Sequence, residues 1–319
     1  MAQSRVLSFG DPDQMEAAHA FVTVQLTPTE RTPFEAQATM VEFDNLYFRQ
    51  VYERVPRIKH SVQTEDRAFF RFLAAPGPGL LASGTPLVYE GLLQHPLGHC
   101  YYERTTSDVC WAAISVPVET LVSTGIAVGG HDPVLPRDPL IILPSMGAMG
   151  AMKHLHAAVV TLAANAPDVL AVPEVSRGLE QSLLGTLIGC LSHPEVHESS
   201  WALRCHATIM RRFHNMLDSN LDRAIYMPEV CAAIRVPERT LRLCCQEHFG
   251  MGPKQFLLLR RMHQAHRALG SVTDGRTTVT EIATRFGFWH FGRFAGAYQS
   301  LFGETPSATL HRRLCQTRC

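Results

Sequence analysis

Thr278-Val279-Thr280-Glu281-Ile282-Ala283-Thr284-Arg285-Phe286-Gly287 reads as a short helix with both of its ends marked. Thr278 and Glu281 make an S/T-x-x-E capping box at its start. Val279, Ile282, Ala283 and Phe286 fall at i, i+3, i+4 and i+7, a stripe to be buried, and Gly287 supplies the left-handed residue that stops it. A second helix is predicted from about Trp289 to Phe302, closed by Gly303. The same grammar occurs earlier. Glu229-Val230-Cys231 stands 52 residues before Glu281-Ile282-Ala283, and Phe249-Gly250-Met251-Gly252-Pro253 stands 53 before Phe302-Gly303-Glu304-Thr305-Pro306. In that copy Pro228 suits a first helical turn, a short helix runs to about Ile234, and Arg235-Val236-Pro237 turns into a longer helix that Gly250 ends. A repeat of this period indicates two copies of one supersecondary unit. A short helix, a tight turn and a longer helix form a helix-turn-helix, whose second helix can enter the major groove of DNA.

One such hairpin is also found in all-α packing modules that touch no nucleic acid; two on a common connector are more specific. Lys254 to Leu269 contains no helix breaker, carries Phe256, Leu259, Met262 and Leu269, and stops at Gly270. Such a connector is about 25 Å long at 1.5 Å per residue, suited to setting two helices into successive major-groove segments that recur every ~34 Å. On the first recognition helix Leu241, Cys244, Cys245 and Phe249 form the inward stripe, leaving Glu238, Arg239, Arg242 and Gln246 outward. Arginine pairs bidentately with guanine and glutamine with adenine, so this is a competent base-reading face; the plainer reading is a solvated helix face. The second recognition helix offers His290 and Arg293 near its start, with Phe291 and Phe294 available as core and Gly292 and Gly296 leaving room for a close approach. Lys254 and Ser307 each follow a proline at a helix start, where dipole and side chain together favour phosphate.

Gly287-Phe288-Trp289-His290-Phe291-Gly292-Arg293-Phe294, with Tyr298, Phe302-Gly303-Glu304 and Pro306-Ser307, resembles the DNA-binding domain of the AraC/XylS transcriptional regulators, in the form carried by the benzoate-type and ethanolamine-operon activators. The resemblance runs from about Asn220 to Arg313. It departs at Leu243 and Gly296, where relatives often carry arginine, and at Cys245, where an aromatic is usual. The resemblance implies transcriptional activation rather than repression, double-stranded DNA and RNA polymerase as partners, and a cupin-like sensing domain in the first half that holds a small-molecule effector.

Charge agrees with a phosphate-binding tail. From residue 220 there are 14 lysines and arginines against 7 acids, a balance of +7; the 29 of each sign in the whole chain then leave 15 against 22, or −7, on the first 219 residues. A basic module on an acidic body is the electrostatic footprint of DNA binding, with affinity that falls steeply in salt. The nine cysteines include no C-x-x-C, and no secretory signal or long apolar span is visible, which predicts reduced thiols and a cytoplasmic location. The vicinal Cys244-Cys245 and the Cys315/Cys319 pair raise a redox-sensor alternative, against which stands their reading as small core residues and a loose tail.

The predicted fold class is α+β, with an N-terminal jelly-roll or β-barrel over residues 1–144, a helical linker or dimerisation region over 145–219, and a C-terminal all-α domain over 220–319. Short β-rich segments fill the first part: Phe21–Leu26, Met40–Phe43, Leu46–Tyr52, Ala68–Leu73, Leu80–Leu87 around Ser83-Gly84-Thr85, and Val109–Val116, with one helix at Val118–Thr124. Phe48, Phe70, Phe72, Tyr89, Tyr101 and Trp111 are candidates to line a pocket, although rings on strands fill cores more often. Met146–Ala164, Val175–Leu191 and Ser199–Leu217 are helically periodic. Leu179, Leu183, Leu187 and Leu191 recur every four residues, as intramolecular core or as the seam of a homodimer. Ser219-Asn220-Leu221-Asp222 is the expected linker.

A metal-dependent cupin-type enzyme with a DNA-binding tail is the rival reading. Its ligands would come from His95, His99, His131 and Glu103, yet the paired His-x-His before a spaced glutamate is absent, and His154 and His156 diverge on a helix. No nucleophile triad, P-loop or dinucleotide fingerprint is present. The expectation is therefore no enzyme, no metal and no cofactor, and a regulator controlled by a small molecule or, alternatively, by its thiols.

Overall fold

Alternation of inward and outward residues organises the first half of the protein into two open antiparallel sheets. The structure is a computed structural model. It describes residues 2–31, 33–77, 79–192, 195–197, 201–220, 223–272 and 276–316, with backbone only for 195–197, 201–204 and 313–316. The chain forms two compact units, Met1–Leu26 with Pro33–Arg204, and Thr27–Thr32 with Cys205–Cys319. Leu221 and Asp222 of the expected linker, the Cys315 side chain and Cys319 lie outside the described residues.

The first unit contains, in order, β1 (Gln3–Phe9), α1 (Pro12–Ala17), β2 (Val22–Pro28), β3 (Ala36–Glu42), β4 (Tyr47–Glu53), β5 (Arg57–Gln63), β6 (Arg67–Leu73), β7 (Leu80–Ala82), β8 (Thr85–Leu87), β9 (Leu92–Gln94), β10 (Cys100–Thr105) and β11 (Val109–Pro117). After these come α2 (Val118–Thr124), a π-turn at Gly125–Gly129, β12 (Leu140–Leu143), α3 (Met146–Asn165), α4 (Pro167–Leu170), α5 (Pro173–Leu191) and β13 (Glu195–His197). One sheet has the order β1-β3-β4-β11-β6-β9-β12-β13 and the other β2-β5-β10-β7-β8. The expected barrel is thus corrected, because neither sheet closes on itself among the described residues. The β7–β8 hairpin turns through Ser83 and Gly84, both at positive φ (50° and 83°). Such a turn matches the twist of its strands.

Period-two alternation sends neighbouring residues of one strand into different cores. From the larger sheet Phe48, Phe70, Phe72 and Ile114 pack with Met149 and Met152 of α3 and with Leu183 and Leu187 of α5. Val51, Leu73 and Trp111 lie on the opposite face, with Val24 and Leu26 of β2 and Leu80 of β7. The four-leucine stripe of α5 is accordingly core: Leu183 and Leu187 are buried, and Leu179 and Leu191 pack against the same cluster. His156 is buried between Phe48 and Phe72, ring centroids 5.1 and 5.3 Å away.

The second unit contains α6 (Trp201–Asp218) from Cys205 onward, then α7 (Met227–Ile234), α8 (Glu238–Phe249), α9 (Pro253–Gly270), α10 (Val279–Arg285), α11 (Phe291–Phe302) and α12 (Pro306–Gln316). The Arg260 guanidinium, on the buried side of α9, donates to the carbonyl of Leu217 at 2.9 Å; Leu257 rather than the expected Leu259 joins it there. At Gly287 (φ 76°) a Cβ would lie 2.5 Å from the Ala224 Cβ and 3.1 Å from the Tyr226 hydroxyl. This glycine therefore seats the second repeat against the segment that leads into the first.

Gly287→Ala is expected to destabilise the protein by about 1 kcal/mol from the left-handed backbone alone, and by more from the clash, measurable by denaturant unfolding. Burial brings His156 down to about 4. Its native pKa lies below the unfolded value, so its contribution is complete above about pH 6.5 and is lost as pH falls through about 4. The difference in unfolding free energy between pH 7 and pH 4.5 should be smaller in His156→Leu than in the natural protein.

Candidate nucleic-acid interface

Each repeat exposes its second helix by burying one stripe of it. On α8 Leu241, Cys244, Cys245, His248 and Phe249 are buried, while Arg239, Arg242, Leu243 and Gln246 are exposed. The α7–α8 turn passes through Arg235 at φ 55°, a left-handed position held here by a non-glycine residue. Phe249 stacks on Phe256 of α9 at 4.0 Å, and Phe256 also meets Phe213 of α6 at 6.1 Å. On the far side His206 Nδ1 and the Glu247 carboxylate lie 2.6 Å apart, tying α6 to α8.

In the second repeat the capping box is formed in both directions: the Glu281 N–H donates to Thr278 Oγ1 at 3.2 Å, and the Thr278 N–H to Glu281 Oε2 at 2.7 Å. Ile282, Ala283, Phe286, Phe294 and Tyr298 join Met262, Ala265 and Leu269 of α9 in one core. α11 begins at Phe291, later than the expected Trp289. Gly287 and Phe288 return their N–H groups to Thr284 and Ala283, both at 2.9 Å, which closes α10 and leaves His290 as the cap residue of α11. Phe291, available as core in the sequence, is exposed, as is Trp289; Phe294 is the buried ring. His290, Arg293, Gly292 and Gly296 are exposed, and no atom lies within 4 Å of a Cβ built at either glycine.

Three of the sequence-derived residues are brought together. Glu238 Oε1 is 2.9 Å from Lys254 Nζ and 3.4 Å from an Arg242 nitrogen, so one carboxylate holds two cations from α8 and α9. Lys254 beside it, and then Arg242, hold the Glu238 carboxyl below its ordinary range. Gln246 folds back, its amide donating to the Gly250 carbonyl at 3.1 Å, where it caps α8. Among the described residues Arg239 and Arg293 form no ion pair. Ser307 is exposed at the second position of α12, after Pro306.

Two features escaped the sequence reading. Tyr298, whose phenol burial pushes up, lies 2.6 Å from His266 Nδ1 and 2.8 Å from the Thr309 hydroxyl, and Thr309 donates to Glu304, which also pairs with Arg312. The Arg261 guanidinium lies over Phe288 at 5.2 Å and Tyr226 at 6.0 Å, linking the two repeats. No spacing rule signals either, since both depend on contacts between separate helices.

The rival chemistries fare differently from these helices. Cys244 and Cys245 are fully buried, and burial pushes both thiols up, Cys244 to about 11, the opposite of a reactive thiolate. Glu103, the one carboxylate of the cupin-type ligand set, is engaged by Lys59 at 2.6 Å and by Arg71. His131 is exposed, its ring meeting the carbonyl of Gly129, and His99 meets that of Leu97. Two cations on the only carboxylate oppose a metal ion there, and the enzyme reading has no support.

Two helix-turn-helix units on a common helix define a DNA-binding domain, and a helix-turn-helix family model matches residues 230–312. The chain is 31% identical over 106 residues to the XylDLEGF operon transcriptional activator 2 of Pseudomonas putida, covering 33% of this chain and 68% of that one. It is 31% identical over 150 residues to a probable thc operon regulatory protein of Rhodococcus erythropolis, covering 46% and 44%. A probable AraC family regulator from Rhodopseudomonas palustris CGA009, of known structure, is 31% identical over 33% of this chain and 97% of its own, with a TM-score of 0.30. The chain belongs to the AraC/XylS family of transcriptional regulators. It spans less than half the length of several curated relatives it matches. No helix among the described residues is long and apolar enough to cross a membrane.

Glu238→Gln should release Lys254 and Arg242. Affinity for arbitrary duplex DNA is expected to rise severalfold at low salt, and the slope of log K against log [salt] to steepen by about one to two, as read by fluorescence anisotropy.

Proposed function

We propose that this protein is a cytoplasmic, sequence-specific transcriptional activator that answers to a small molecule. The observation that carries the reading is the pair of recognition helices, α8 and α11, each rooted by a buried stripe against α9 and each presenting outward an arginine, Arg239 or Arg293, that forms no ion pair among the described residues. In this reading Glu238, Arg239, Arg242 and Gln246 on α8, and His290 and Arg293 at the start of α11, contact bases, while Lys254 and Ser307 hold phosphates. Glu238 additionally orients the two cations it binds. The exposed glycines of α11 permit close approach to the duplex backbone.

Residues 1–144, the part of the first unit that holds most of both sheets in a cupin-like arrangement, form the sensing domain. The helices of 145–219 serve as linker and contribute to homodimer formation, and residues 220–319 bind DNA. RNA polymerase is the partner through which activation proceeds, by analogy with the operon activators this chain resembles.

The test is Arg293→Ala, assayed on a duplex selected from a random pool by the natural protein and on an unrelated duplex of equal length. A loss on the order of 1–3 kcal/mol on the selected site alone, with relaxed preference at one base pair, is expected. An equal loss on both duplexes would contradict base reading by this residue.

A further inference from the structure

The interior of the first unit holds more positive charge than its own carboxylates answer. Arg57, Lys59, Arg71 and Arg49 are all buried there, with Glu53 and Glu103. Both carboxylates are committed. Glu53 accepts from Arg57 at 2.8 Å and from the Trp111 indole at 2.7 Å. Glu103 takes Lys59 at 2.6 Å and Arg71. Arg49 is left over: it is 3% exposed, and among the described residues none of its three guanidinium nitrogens has a hydrogen-bond partner. Burial draws it down only to about 10, so it carries its charge at neutral pH. An unanswered buried charge strongly destabilises a fold, and one kept on a cavity wall calls for a counter-ion from outside.

The cavity is present. Arg49 lines a pocket open to solvent, together with Arg71, His95, Gln63, Tyr101 and Trp111. Strand register explains the placement. Ala113 on β11 pairs with Arg49 of β4 on one side and with Arg71 of β6 on the other. The two guanidiniums therefore flank a methyl group and leave space above it, with the Trp111 ring 4.2 Å from Arg71 and 5.9 Å from Arg49. On the opposite wall His95 stacks on Tyr101 at 3.9 Å. Burial, with Arg71 and Lys59, holds that imidazole's pKa well below its ordinary value.

We infer that the effector is a small organic carboxylate whose anionic group is bound by the Arg49 guanidinium above Ala113, with its apolar body against Trp111 and Tyr101. A guanidinium fork matches a carboxylate bidentately, which an ammonium does not. The same site rejects amines, because Arg49 and Arg71 on its wall already repel a cation. This inference rests on the regulator reading, in which the carboxylate is the signal.

The test uses the full chain without DNA. Unfolding midpoints and calorimetric binding are measured with phenylacetate and hexanoate, and with phenylacetamide and hexanamide, at constant ionic strength. At least one carboxylate is expected to raise the midpoint saturably and to bind at least tenfold more tightly than its amide. Arg49→Gln should abolish that difference, and Arg49→Lys should retain part of it. Arg49→Met, which removes the unanswered charge, should leave the ligand-free midpoint unchanged or higher. Acids no better than amides, a response that survives in Arg49→Gln, or a lower midpoint for Arg49→Met would each overturn the assignment. Failure of the protein to bind any duplex would overturn the proposed function while leaving this binding result standing.

Discussion

The DNA-binding unit depends on α9 serving as core for two helical hairpins at once. Neither repeat is large enough to bury a sufficient apolar surface alone. Phe256, near the start of α9, completes the first by stacking on Phe249; Met262, Ala265 and Leu269, further along, complete the second with Ile282, Phe294 and Tyr298. Side chains on such a helix that point away from one hairpin point toward the other or toward α6, which is why α9 buries even charged residues such as Arg260. Orientation of both recognition helices follows from this one packing element rather than from the loops.

The second unit was nearly all legible because its signals are local. Capping box, apolar period and left-handed glycine place α10, and Arg239, Arg242 and Gln246 fall outward by helix phase alone. The Glu238–Lys254–Arg242 cluster was not legible as a cluster, since its members meet only after the chain has turned between α8 and α9. Phe291 misled for a different reason: an aromatic beside Phe294 looks like core until Gly287 and Phe288 delay the start of α11 and rotate it to the surface.

In the first unit the failures mark the chemistry. β5 and β10 went unread because Arg57 and Lys59, and Glu103, occupy inward positions where period-two alternation demands apolar side chains. β1 was missed because most of its residues are exposed. Of the six aromatics proposed as pocket lining, Phe70, Tyr101 and Trp111 border the cavity, while Phe48 and Phe72 face the helices. The parity of Arg49 and Arg71 within otherwise apolar strands was the available signal, as each sits two residues from an inward apolar neighbour.

The unbroken course of α9 sets two periodicities against each other. One inserted residue would advance the second repeat by about 1.5 Å and swing it by about 100°. Seven would restore its angular phase but shift it by about 10 Å, roughly three base pairs, which moves it around the duplex by over a quarter of a turn. Short insertions and deletions are therefore barred from this helix by the pitch of the double helix, a more severe restriction than stability alone imposes on a helix of 18 residues.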